Sequence, residues 1–332
     1  MSSKFTVIVP SYQGGEYLKQ CVRSVLAQTY SDFDLAVLEN CSEDGSAEWL
    51  ASLGDSRIKV YPSSKPLSIE DNWARALEIP KNEFITFFGH DDLMDENYLE
   101  IMDALIRQHP DAGLYHAHFR FIDEEGKTIK PCRPLPPHQT GAQFLEAFLT
   151  WQVGVNGTGY MMRAQAYEAV GGIPHFQNLL YADHVLWLRL IGKSHKATAP
   201  QECFSYRLHT TSTSASSNWR AYLKAIPQFA EFFLDFDKGD AEVAHIFQKH
   251  GADFFSKLYS ERYMDVLTRC TKKNERFDPQ LQEAVFTGLA RISPQHSQML
   301  RKMKRVRLHR AINSNQLTRR LYQIYNRVRY SE

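Results

Sequence analysis

Two hydrophobic rhythms alternate over the first hundred residues. FTVIV (5–9), FDLAVL (33–38), RIKVY (57–61) and FITFFG (84–89) are runs of strand length. Between them apolar residues recur at helical spacing. Leu18, Cys21, Val22, Val25 and Leu26 stand at i, i+3, i+4, i+7 and i+8, one stripe of a helix. Ser68 followed by Asp71 gives a capping start to the helix SIEDNWARALEI, and ENYLEIMDALIRQ reads as the next helix. Apolar strands separated by amphipathic helices predict a parallel sheet covered on both faces. In such sheets ligands bind beyond the carboxyl ends of the strands. The polar loops after Val9, Leu38 and Phe88 are therefore the candidate site.

From about Ala112 the pattern changes. GLYHAHFRFID alternates and predicts a longer, half-exposed strand, and PCRPLPPHQT (131–140) is proline-rich and irregular. Residues 141–210 mix a helix, the glycine-rich VNGTGYMMR, the GGIPHF turn and the apolar helix DHVLWLRLIG. Beyond Ser217 strand signals thin out, and stripes such as Tyr222, Ile226, Phe229 and Phe233 predict helices to the C-terminus. The expected organisation is a domain over 1–217 with halves meeting near residue 110, a helical region 218–300, and a tail 301–332.

Composition adds boundaries to this picture. With 332 residues, 43% hydrophobic and 23% charged, the chain reads as soluble and globular. No stretch reaches the roughly 18 apolar residues of a membrane span, and MSSKFTVIVPSYQGG lacks the features of a signal peptide. Five scattered cysteines (Cys21, Cys41, Cys132, Cys203, Cys270) form no CxxC pair. They suggest neither a disulfide framework nor a cysteine zinc site, and point to a reducing cytoplasm. The net charge of +1 hides an asymmetry: residues 301–332 carry ten Lys and Arg against a single Glu, whereas the rest holds 29 basic and 37 acidic side chains. RKMKRVRLHR, followed by Leu317, Leu321, Ile324, Tyr325 and Val328 among Arg319, Arg320 and Arg327, predicts a basic amphipathic helix. Such a helix can rest on an anionic membrane, at about 1 kcal/mol per basic residue near the surface. Packing on the acidic body, or on a second subunit in a homodimer, is the alternative. No motif supports a nucleic-acid partner, and none is expected.

Candidate chemistry concentrates at FITFFGHDD. Adjacent carboxylates are commonly solvated loop residues or helix N-terminal charges. Held at the end of a buried strand, Asp91 and Asp92 repel one another, so that one pKa rises or a cation is recruited. Hard oxygen ligands suit Mg²⁺ or Mn²⁺, which bind substrate phosphates and keep waters. His90 reads as a neighbour of this site. His116 and His118 share a strand face but lack a third ligand for a metal. Trp151 and Tyr160 are candidates to stack on a sugar, although aromatics more often fill cores. Gly171–Gly172 suits a tight turn, and no GxxxxGK[ST] phosphate loop occurs.

Five segments, in order over about residues 5–215, carry a family resemblance. VIVPSYQGGEYLKQCVRSVLAQTY resembles the opening of family 2 glycosyltransferases, and LENCSEDGS their second loop. NWARALEIPKNEFITFFGHDD is similar to their metal-motif segment, VGGIPHFQNLLYADHVLWLRL to the segment carrying the base, and YRLHTTSTS to the one that closes the donor site. Four positions depart from the pattern: Gln13 replaces an Asn, Glu39 stands at the first acidic position of the second loop with Asn40 beside it, GHDD lacks a leading Asp, and Ala182 takes the place of the acidic residue before the base.

The resemblance implies an α/β GT-A fold, a mostly parallel central sheet flanked by helices, here with an α-helical C-terminal extension. It implies that Pro10, Ser11 and Tyr12 line the nucleoside pocket and that Glu39 or Asn40 contacts the base. Asp91 would sit near the ribose and diphosphate, with Arg207 neutralising diphosphate charge. Asp92 would bind Mn²⁺ or Mg²⁺, with His209 a further ligand. Asp183 would be the general base; by itself it reads as the N-cap of HVLWLRLIG. The implied reaction is inverting single displacement, from a nucleotide-diphosphate sugar donor to a hydroxyl of a saccharide or lipid-linked saccharide. The setting implied is cell-surface polysaccharide or glycolipid synthesis, in the cytoplasm or peripherally on the inner face of the plasma membrane. A sugar-nucleotide pyrophosphorylase would need a glycine-rich, lysine-bearing loop, which VPSYQGGEYL lacks. A non-catalytic nucleotide-sugar binder would keep these residues and differ only in turnover.

Overall fold

The computed structural model describes residues 3–153, 156–209, 219–236 and 240–329. The chain divides into two compact units, Met1–Ser216 and Ser217–Glu332. The first unit opens with β1 (Phe5–Ser11), α1 (Gly15–Leu26), β2 (Phe33–Glu39), α2 (Ser46–Ser52), β3 (Ile58–Pro62) and α3 (Ile69–Ala74). It continues through β4 (Phe84–Phe87), β5 (Leu93–Met94), α4 (Tyr98–Gln108), β6 (Leu114–Ile122), β7 (Thr128–Pro131) and β8 (His138–Thr140). Then come α5 (Gly141–Leu149), β9 (Met161–Arg163), α6 (Ala164–Ala169), α7 (Ala182–Ile191) and β10 (His195–Arg207).

These strands form one sheet in the order β3-β2-β1-β4-β9-β6-β10-β5, with β7 on β6 and β8 on β10. The run β3-β2-β1-β4 is parallel, as is β6 with β10. Phe5, Val7, Ile8 and Val9 are fully buried, which requires cover on both faces of β1. Leu18, Cys21, Val22 and Val25 of α1 supply part of that cover. Each such apolar side chain contributes about 1.5–3 kcal/mol on burial, so the strand ends that carry the polar loops are firmly anchored.

Local signals set several boundaries. The Ser68 hydroxyl accepts from the Asp71 amide and caps α3. Past Ala74 the helix tightens into a 3₁₀ turn, Arg75–Leu77. There the Lys81 ammonium collects the carbonyls of Ala76, Leu77 and Ile79, satisfying the helix end. The β6 strand is more buried than its alternation predicts: it lies inside the sheet between β9 and β10, and α4 and α7 pack against it. Both of those strands escape sequence reading. β9 is three residues long, and β10 contains Pro200 and slips register between Ala199 and Glu202 and again before Ser205. All five cysteines are free.

The second unit is helical: α8 (Trp219–Phe236), α9 (Ala241–Lys273), α10 (Pro279–Ile292), α11 (Pro294–Lys302), α12 (Lys304–Asn313) and α13 (Gln316–Arg329). Ile226, Phe229 and Phe233 are buried as their spacing requires, and the Phe233 and Phe247 rings stack 5.2 Å apart. Asn274, at φ 57, ends α9 with a left-handed cap on the Cys270 and Thr271 carbonyls. Arg319 departs from the polar face expected of it. It is buried, and its guanidinium donates to Asn274 Oδ1 at 3.2 Å and to the Asn313 carbonyl at 2.7 Å. Among the described residues no helix is long and apolar enough to cross a membrane.

One close approach in the first unit gives a test of the packing. A Cβ at Gly113 would stand 2.1 Å from the Leu190 carbonyl oxygen, a backbone atom that cannot swing away. Gly113→Ala is expected to destabilise the fold by about 1–3 kcal/mol or more, seen as a thermal midpoint several degrees lower by circular dichroism. An unchanged midpoint would show that β6 and α7 do not meet this closely.

Candidate active site

Beyond the carboxyl ends of β1, β2 and β4 lies a cavity of about 460 Å³, within the usual size of ligand sites. Pro10, Ser11 and Tyr12 line it, together with Asn40, Trp73, His90, Asp91 and His209. The first loop is stitched to the second: the Gln13 amide donates to Ser42 Oγ at 3.0 Å and the Gly15 amide to Asp44 Oδ2 at 2.7 Å. Gln13 takes a left-handed φ of 49 to make this turn. The Ser11 hydroxyl is buried with no hydrogen-bond partner among the described residues, an unmet demand that a ligand could satisfy. Trp73 is fixed by stacking on Phe87, with ring centroids 5.3 Å apart.

The second loop differs from expectation. Glu39 accepts from the Cys41 and Ser42 amides at 2.9 and 2.7 Å, so its carboxylate caps its own turn. Asn40 lines the cavity, but its amide pairs both ways with the Leu67 backbone, at 3.0 and 2.8 Å. Their hydrogen-bonding groups hold loops together here, where the resemblance implies that one of them contacts the base. Arg75 was not anticipated. Its guanidinium donates to the Glu39, Tyr61 and Pro62 carbonyls and to Asn72 Oδ1, pinning the ends of β2 and β3. The available signal was a lone arginine between two alanines in an apolar stripe.

The paired carboxylates separate into different environments. Asp91 faces the cavity, and its Oδ2 lies 2.7 Å from His209 Nε2. Asp92 is 2% exposed and does not line the cavity; its Oδ1 accepts from the Arg207 amide at 2.8 Å. Arg207 is likewise buried. Its guanidinium donates to the Asp91, Asp123 and Glu124 carbonyls and to Gln20 Oε1, and lies 4.6 Å over the Tyr17 ring. Asp92 and Arg207 thus stand behind the cavity wall, each hydrogen-bonded to protein groups. Neither lines the cavity, where the resemblance places their roles.

Electrostatics follow the same split. Burial pushes the Asp92 carboxyl well up, and the neighbouring Asp91 charge pushes it further. Burial also raises Asp91, but the hydrogen bond with His209 and the nearby His90 outweigh it, leaving its pKa below the ordinary value. The turn has room for this only because residue 89 is glycine. A Cβ there would stand 2.7 Å from both Asp91 Oδ1 and Asp92 Oδ2.

Asp183 is the second residue of α7, whose N-cap position is Tyr181, so the capping alternative does not hold. Its Oδ1 accepts from the His184 amide at 2.8 Å and lies 2.5 Å from His184 Nδ1. Gly157 stands beside it, its Cβ position 4.0 Å from Asp183 Cβ. From the same segment Thr158 Oγ1 accepts from the Gly89 amide, and the Gly159 amide donates to the Phe87 carbonyl. Residues 157–159 therefore join Asp183 to the turn carrying Asp91. Just before α7, Asn178, Leu179 and Tyr181 all have positive φ, at 53, 54 and 67. Such conformations cost about 1–3 kcal/mol each. Two unanticipated carboxylates of α3 hold this stretch: buried Glu70 accepts from the Asn178 amide, and Asp71 pairs with His175.

The other histidines singled out in the sequence, His116, His118 and His90, do not form a cluster. His116 is buried and stacked on Tyr160 at 3.8 Å. His118 bridges the Ala199 carbonyl and the Leu135 amide. His90 Nδ1 lies 3.3 Å from the Pro10 carbonyl. Among the described residues no group of three or more His, Cys, Asp or Glu could hold a metal ion by itself. Thr210–Ser214 of the expected closing motif lie outside the described residues.

Comparison with known proteins agrees with this architecture. Residues 6–170 match Glycosyl transferase family 2. Glycosyltransferase GlyG of Streptococcus pneumoniae is 29% identical over 126 residues, 37% of this chain and 42% of that protein. The Escherichia coli UDP-Glc:alpha-D-GlcNAc-diphosphoundecaprenol beta-1,3-glucosyltransferase WfgD is 26% identical over 129 residues, 38% of this chain and 51% of that protein. The matches thus span about half or less of these relatives. Among solved structures, S. aureus TarS 1-349 in complex with UDP-GlcNAc superposes with a TM-score of 0.64 at 16% identity. That match covers 98% of this chain and 91% of the other. The architecture is a GT-A fold. The chain belongs to glycosyl transferase family 2.

The environment of Asp92 predicts a pH effect on stability. Its folded-state pKa is raised, so the fold resists its ionisation. The penalty is absent below the ordinary carboxylate range, near pH 4, grows as pH rises above it, and levels off beyond the folded value. In EDTA, Asp92→Asn is expected to match the wild type near and below about pH 4 and to exceed its thermal midpoint as the pH is raised above that range. A constant offset at every pH would mean that folding leaves the Asp92 pKa unchanged.

Proposed function

We propose that this protein is an inverting glycosyltransferase that moves a sugar from a nucleoside-diphosphate donor to an acceptor hydroxyl in cell-surface polysaccharide synthesis. The observation that carries this is the Asp91–His209 pair on the cavity wall, with Asp183 tied to the same turn through residues 157–159. The donor complex of TarS and the name of WfgD favour a uridine diphosphate sugar and, for WfgD, a lipid-linked saccharide acceptor.

Each residue has a role in this reading. Pro10, Ser11, Tyr12 and Asn40 shape the nucleoside end of the cavity, where Ser11 offers its unpartnered hydroxyl. Asp91 and His209 fit a divalent cation: an ionised carboxylate and an imidazole face the cavity side by side. Mn²⁺ or Mg²⁺ typically takes one or two such protein ligands plus substrate phosphates. When bound there it would supply positive charge to the diphosphate. Asp183 accepts the proton of the acceptor hydroxyl. The hydroxyl oxygen then bonds to the anomeric carbon from the face opposite the diphosphate. The bond to the diphosphate oxygen breaks, that oxygen keeps the electron pair, and the configuration inverts. A base so placed contributes roughly 10²–10⁴-fold.

Asp183→Asn is therefore expected to lower kcat about 10²–10⁴-fold with donor KM little changed. The assay is nucleoside diphosphate release from a panel of nucleotide sugars, with acceptor present. Undiminished turnover would remove Asp183 from the mechanism.

The helical unit bears on location. Leu317, Leu321, Ile324 and Tyr325 stand at i, i+4, i+7 and i+8 on α13 and are 54–67% exposed, within a stretch of strong positive charge. An exposed apolar stripe on a cationic helix suits an anionic membrane surface. In flotation with phosphatidylglycerol vesicles the wild type should rise, and the variant Leu317→Ser/Leu321→Ser/Ile324→Ser should remain in the dense fraction. If that variant floats unchanged but elutes at half the wild-type mass, the stripe is a subunit interface instead.

A further inference from the structure

A second cavity, of about 690 Å³, shares no lining residue with the first. Its apolar surface comes from Phe119 and Phe121 of β6, Tyr206 of β10, and Trp151. Trp151 follows α5 with a left-handed φ of 62 and is 40% exposed. A bulky residue seldom adopts that conformation, and strain of this kind concentrates at functional sites.

Three polar groups complete the surface. Lys130 lies 5.3 Å from the Phe121 ring centroid, and Arg133 donates to the Trp151 carbonyl at 3.4 Å. Both are exposed, and neither has a carboxylate in ion-pair reach among the described residues. Asn156 also lines the cavity, and both its amide atoms are shielded from solvent without a hydrogen-bond partner among the described residues. A buried amide left unpaired is costly, and this one offers a donor and an acceptor to a ligand hydroxyl. Its neighbour Gly157 is the residue that stands against Asp183.

We propose that this cavity is the acceptor subsite and that it takes a saccharide carrying a phosphate or carboxylate. The aromatic rings receive the apolar face of the sugar ring. Asn156 bonds a hydroxyl. Lys130 and Arg133 hold the anion, Arg133 through the fork geometry that suits both phosphate and carboxylate. The proposal rests on the transferase reading for its name as an acceptor site, but its binding chemistry can be measured separately.

The experiment is saturation-transfer NMR on the full chain with UDP in excess, so that the first cavity is filled. The probes are methyl glucoside, glucose 6-phosphate and glucuronate. At least one charged probe is expected to bind the wild type several-fold more tightly than methyl glucoside. The choice between phosphate and carboxylate is read from which probe it is. Lys130→Ala/Arg133→Ala should weaken the charged probes about tenfold while leaving methyl glucoside and UDP unchanged. Trp151→Ala should weaken all three sugars. Equal binding of the three probes by the wild type, or charged probes unaffected by the double substitution, overturns the proposal. Absence of UDP binding and of donor hydrolysis in the wild type counts against the transferase reading alone, since the dependence on Lys130 and Arg133 is read from the sugars.

Discussion

Two neighbouring carboxylates at the end of a buried strand must be kept from sharing one environment, and the active site is arranged around how that is done. Asp92 turns inward to the Arg207 amide, where burial and its neighbour's charge disfavour ionisation. Asp91 turns toward the cavity and keeps its charge beside His209. The Arg207 guanidinium holds the division in place, because it also takes the Asp91 carbonyl and reaches the carbonyls that follow β6. The result is one carboxylate on the cavity wall with its pKa held down, and a second held as part of the scaffold.

The loops around this turn are built by the same means. Polar side chains that look available in the sequence are committed to backbone: Glu39 to its own turn, Asn40 to Leu67, and Arg75 to the ends of β2 and β3. Each satisfies groups that would otherwise be lost from water at the rim of a sheet. The strained stretch before α7 belongs to the same economy of contacts. Positive φ at Asn178, Leu179 and Tyr181 is held by Glu70 and Asp71 reaching across from α3. The first turn of α7, and with it Asp183, is placed by residues about a hundred positions earlier in the chain.

Much of this was legible in the sequence. The parallel strands of the first half, the capped start of α3 and the carboxylates at a strand end follow from local periodicity and composition. What escaped reading did so for identifiable reasons. β9 is too short to show a period, and the slipped register of β10 breaks its alternation. The strand β6 looked half-exposed because its place inside the sheet, with α4 and α7 packed against it, is a tertiary property.

The sequence by itself determined the family, the sheet that presents the site, and the turn at which Asp91 and Asp92 stand. Those properties rest on neighbours within a few positions, where spacing and chain geometry act directly. It did not determine which aspartate faces the cavity. That choice belongs to His209, 118 positions after Asp91, and to the Arg207 amide, 115 positions after Asp92. Adjacent side chains point in different directions, and only the folded sheet decides which direction leads to protein and which to open space.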